Sequence, residues 1–90
     1  ALPIYLMLGT TNYLLLKNQS AAFYLKKYIT ENKLPEYRIF AYWLLIDALV
    51  STGKINEAKK FSTMAKQAVK DSHLEEQFHT YMSSTLENYK

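Results

Sequence analysis

Cysteine is absent from this 90-residue chain, which removes disulfide frameworks, thiolate nucleophiles and cysteine-ligated zinc, and leaves redox chemistry silent about the compartment. Glycine and proline are scarce, two of each, so there is little material for phosphate-cradling loops, hairpin turns or a many-turned β-sandwich. Charge of one sign never runs beyond a pair. Eleven basic and eight acidic residues are interspersed, and the resulting net charge of +3 is a weak case for nucleic acid. The apolar stretch from Leu2 to Leu16 is interrupted by Thr10, Thr11 and Asn12 and falls short of the ~20 residues a bilayer demands, so it reads as a core helix. What is present is an apolar share of 49% against 21% charged, the balance of one small globular domain with a single core. The opening Ala1-Leu2-Pro3-Ile4 has no initiator methionine, and the expectation is an excised or processed piece of a longer protein.

Punctuation divides the chain into five stretches of helical length, roughly 3–17, 19–32, 36–51, 55–70 and 73–89, with connections short enough to make neighbours antiparallel. In the fourth, Ile55, Ala58, Phe61, Ser62, Ala65, Ala68 and Val69 share one arc, with Lys59, Lys66 and Lys70 beside it. The fifth opens on Ser72-His73-Leu74-Glu75, a capping-box pattern, and places Leu74, Phe78, Tyr81, Met82, Thr85, Leu86 and Tyr89 on one face. The first and third are apolar nearly all round, so they need partners on more than one side and are expected as inner helices, with the second and fourth outside them. The fold class predicted is all-α, one domain over 1–90.

Catalytic chemistry finds no footing in the residues. His73 and His79 lie six apart, about 240° round a helix, with no HExxH spacing, and they are read as surface histidines and not as metal ligands. No acid pair stands beside a base or nucleophile, and no cofactor is expected. Asn18-Gln19-Ser20 fits a glycosylation sequon and is read as a turn and helix cap.

An internal repeat is visible when Leu8-Gly9, Ala21, Leu25 and Tyr28 are laid over Leu45-Ile46, Ala58, Ser62 and Ala65, at an offset of 37 residues between Ala21 and Ala58. The small residues let paired helices approach closely, Gly9 does so with its backbone, and Gly53 can end a helix in the left-handed conformation. This pattern resembles the tetratricopeptide repeat, whose unit of ~34 residues carries W-x2-L-G-x2-Y followed by two small positions. Leu45, Leu49, Gly53, Ala58 and Ala65 match in the second unit, with Tyr42 in place of the tryptophan; Leu8-Gly9, Ala21 and Pro35 match in the first. The longer spacing looks like the extended repeats of bacterial signalling and transcription regulators. The resemblance implies helix hairpins stacked as a short right-handed superhelix of about five helices: unit one at about 2–35, unit two at about 39–71, and a capping or third-unit helix at about 73–89.

It also implies a concave groove, formed by Leu6, Thr10, Tyr13 and Leu14 in the first unit and Phe40, Trp43, Asp47, Val50 and Ser51 in the second. Eight tyrosines, four phenylalanines and one tryptophan exceed what a thin core requires, so some aromatics are expected at a binding surface, with Asp47 orienting a donor beside Trp43. The alternative for Trp43 is packing against the fifth helix. The function expected is a protein- or peptide-binding module, non-enzymatic, cytoplasmic and part of a larger regulatory or scaffold protein. Two other readings remain open: a homodimer through the same groove, and weak nucleic-acid binding through Lys59, Lys66 and Lys70.

Overall fold

The computed structural model describes residues 3–31 and 35–68, which form four helices: α1 (Ile4–Leu14), α2 (Asn18–Glu31), α3 (Pro35–Ser51) and α4 (Ile55–Ala68). The described residues are all-helical, as the scarcity of turn formers requires. The expected fifth helix at 73–89, Lys70 and both histidines lie outside the described residues.

The 37-residue period of the sequence is also the period of the architecture. The bounds of α2, Asn18 and Glu31, map onto Ile55 and Ala68 of α4, and the end of α1 at Leu14 maps onto the end of α3 at Ser51. Both hairpins turn by the same hydrogen bonds. The Leu16 N–H donates to the Tyr13 carbonyl at 3.0 Å and Lys17 N–H to Asn12 at 2.8 Å; 37 residues on, Gly53 N–H donates to Val50 at 3.0 Å and Lys54 N–H to Leu49 at 2.8 Å. This is the Schellman closure, which satisfies the last carbonyls of a helix and requires a left-handed residue just beyond it. Gly53 supplies that conformation at φ 79°, and Leu16 at φ 62°.

Here the structure corrects the sequence reading. The first stretch does not continue as a core helix to residue 17; it ends at Leu14, and Leu16 stands 82% exposed. The cause is local: the closing bonds stop the helix two residues before leucine content suggests, and the left-handed Leu16 aims its side chain away from the body.

The core lies between the helices of each hairpin and around α3. Leu6, Ala21, Leu25, Tyr28, Ala41, Tyr42, Leu45, Leu49, Ala58 and Ala65 are all buried. Gly9 sets the α1–α2 distance, since a methyl group there would fall 2.7 Å from both Cγ and Cδ2 of the fully buried Leu25. On α4 the buried stripe is Ala58, Ser62 and Ala65, with Ile55 and Phe61 half-buried beside it, so the helix approaches α3 on its smallest residues. Between the outer helices, Lys26 Nζ and a Glu57 carboxylate oxygen pair at 2.5 Å, and the Lys26 ammonium lies 5.9 Å from the Phe61 ring centroid. No described helix is long and apolar enough to cross a membrane.

Candidate functional site

The two inner helices touch each other only sparsely, and a cleft of about 500 Å³ opens between them. Leu6, Met7, Thr10 and Thr11 of α1 form one wall; Tyr37 and Phe40 of α3 form the other. At 3.6 residues per turn, Leu6 and Thr10 stand one above the other, as do Met7 and Thr11, so α1 contributes two parallel rows of one apolar and one hydroxyl residue each. The buried Leu6 forms the floor, while Met7 and Phe40 are 50% and 44% exposed at the rim. Such a site buries hydrocarbon and aromatic surface and offers two threonine hydroxyls for orientation.

Three residues expected in the groove, Leu6, Thr10 and Phe40, line this cleft. Tyr13 and Asp47 lie further along the same two helices, and the Tyr13 hydroxyl donates to the Asp47 carboxylate, bridging α1 and α3. Asp47 is therefore already engaged by a donor of the same chain. Trp43 is half-buried and packs against the core, and Val50, at 1% exposure, lies beneath the surface. Leu14 is exposed at the end of α1.

Met7, Thr11 and Tyr37 were not singled out from sequence. Met7 and Thr11 follow directly on Leu6 and Thr10, and Tyr37 precedes Phe40 by three, so a wider arc drawn on each helix would have included them. What the pattern could not supply was the rotation of α1 about its own axis, which turns the Met7 row toward the cleft.

On the outer side, Lys59 and Lys66 are exposed on α4, and the Lys60 ammonium lies 5.8 Å from the Phe61 ring centroid. The Glu57 carboxyl is held below its ordinary value, chiefly by the Lys26 hydrogen bond, with the charges of Lys26, Lys54 and Lys60 adding to the effect and burial opposing it. This cluster ties α2 to α4. Among the described residues no three metal-ligating side chains converge.

No protein-family model matches the sequence, and neither a curated protein nor a solved structure matches the chain.

Proposed function

We propose that this chain is a protein-interaction module that takes an apolar, aromatic-bearing peptide segment in the cleft between its inner helices, working by binding and not by catalysis. The observation that carries the reading is the cleft itself: a half-exposed methionine and phenylalanine facing each other across a buried leucine floor, with threonine hydroxyls along one wall. Apolar groups of that size left at the rim of a concave surface are the usual anchor points of peptide recognition. The 37-residue repeat of sequence and of turn geometry supports placing the two hairpins in a tetratricopeptide-type array; a cytoplasmic regulatory or scaffold protein is the setting proposed for it.

A displayed library of random peptides, selected on the full chain, tests this. Enrichment of sequences with paired large apolar residues, lost on the Met7→Asp, Phe40→Asp double variant at unchanged helicity, is the expected result. Absence of enrichment, or equal capture by the variant, would refute the proposal. A second reading, self-association through the same surface, draws on the exposed Ile4, Met7 and Leu14 of α1. Measuring mass in solution across concentration separates a partner from a second copy.

A further inference from the structure

The two hairpin turns share one backbone and differ in chemistry. At the 37-residue offset Leu14, Leu15, Leu16 and Lys17 correspond to Ser51, Thr52, Gly53 and Lys54, and the same closing hydrogen bonds form in both. The second turn shows that two hydroxyl residues and a glycine suffice for this closure. The first carries leucine at all three places, and none enters the core: Leu14, Leu15 and Leu16 are 72%, 60% and 82% exposed. Leu16 also holds a left-handed φ of 62°, which a residue with a side chain adopts only against strain, whereas Gly53 takes its 79° freely. Three leucines held outward where the fold needs none serve something outside the fold.

The surroundings of this tip are basic. α1 and α3 run parallel, since Tyr13 meets Asp47 toward one end while Leu6 and Met7 face Tyr37 and Phe40 toward the other, so both turns stand at one end of the array. Exposed Lys17 and Lys54 accompany the leucines there, and the stretches 14–20 and 51–56 contain no acidic residue. The leucines take no part in lining the α1–α3 cleft.

We propose that the Leu14-Leu15-Leu16 turn is a membrane-docking tip, entering the interfacial layer of an anionic phospholipid surface with Lys17 and Lys54 against the headgroups. A fluid acyl layer accepts leucines that diverge from a convex turn without any matching cavity, whereas a protein partner would need a pocket shaped for each. A short apolar insertion attaches weakly by itself, and the two ammonium groups add the electrostatic attraction that makes the docking selective for anionic lipid. The attachment is superficial, with no helix crossing the bilayer. Because the cleft lies along the helices and the tip at their end, docking and peptide capture use different residues and fail separately.

Sedimentation of the full chain with vesicles of phosphatidylcholine carrying about 30% phosphatidylserine tests this, with pure phosphatidylcholine vesicles alongside. The chain should partition onto the anionic vesicles, and Lys17→Gln with Lys54→Gln should weaken that partition by about fivefold for each charge removed. Giving the first turn the chemistry of the second, by Leu14→Ser, Leu15→Thr and Leu16→Gly, should weaken it at least about tenfold. Depth is read with Leu15→Trp, whose emission should shift to the blue on the anionic vesicles; Trp43, two turns before the end of α3, should not respond in the native chain. No partition onto anionic vesicles, or equal partition by the turn-exchange variant, would overturn the proposal. So would a mass in solution that rises with concentration for the native chain and not for that variant, which would seat the tip on a second copy. If the turn-exchange variant loses helicity, Leu15→Trp decides, and an unshifted emission then overturns the proposal.

Discussion

The two hairpins share period, helix ends and closing bonds, yet they differ in how much each inner helix buries. In α3 the central residues Leu45, Ile46, Ala48 and Leu49 are fully buried, whereas α1 buries only Leu6 and Gly9 and leaves Ile4, Met7 and Leu14 exposed. Composition does not explain this, since both helices are apolar nearly all round. Position does: α3 has α1, α2 and α4 around it, while α1 packs mainly on α2. The same local code therefore gives a core helix where three described helices surround it and a surface helix where contact is mainly with one, and the difference produces the cleft.

The comparison is broken most severely at equivalent leucines. Leu45→Ala removes a fully buried side chain and should cost about 3 kcal/mol of unfolding free energy, while the half-buried counterpart Leu8→Ala should cost about 1 kcal/mol. Denaturant titration of the two variants measures the gap; equal losses would mean that α1 and α3 are not differently buried.

A smaller effect sharpens the comparison at the turns. Gly53 holds its left-handed φ with nothing within 4 Å of the Cβ position, so Gly53→Ala should lose about 1 kcal/mol from backbone strain alone. Leu16 already carries that strain, so Leu16→Gly should gain about 0.5 kcal/mol, the relief of ~1–2 kcal/mol being offset in part by the greater freedom of glycine in the unfolded chain. Opposite signs for two substitutions at one repeat position are the expected thermal-melt result.

The smallest effect is electrostatic. Because folding lowers the Glu57 carboxyl below its ordinary 4.5, the bridge to Lys26 contributes stability above that pH and loses it as pH falls through the folded value. Both side chains are partly exposed, so screening keeps the contribution modest. The stability difference between the native chain and Glu57→Gln should be present at neutral pH, shrink across this acid range and shrink with salt; a difference independent of both would assign Glu57 no ionic role.

Much of the fold was legible from particular residues. Gly53 marked a left-handed helix end, Gly9 a close approach, and Ala21, Ala58 and Ala65 the stripes on which the outer helices pack. Leu16 shows where legibility stopped. Three consecutive leucines read as helix interior, but a helix end is decided by which carbonyls find donors, and no side chain in Leu14-Leu15-Leu16 announces that. At the candidate site, Leu6, Thr10 and Phe40, which the repeat resemblance assigned to a groove, line the cleft, and nothing in the sequence signalled that Tyr13 and Asp47 would meet each other across α1 and α3.

Local chemistry thus determined the helices, their 37-residue recurrence and the narrow faces on which they approach, because spacing, small residues and the turn glycine Gly53 act within a few residues of chain. Tertiary structure alone decided which apolar faces are covered. Burial depends on how many neighbours surround a helix and on its rotation against them, and α1, with the same kind of sequence as α3, became one wall of a cleft because nothing among the described helices closes its outer side.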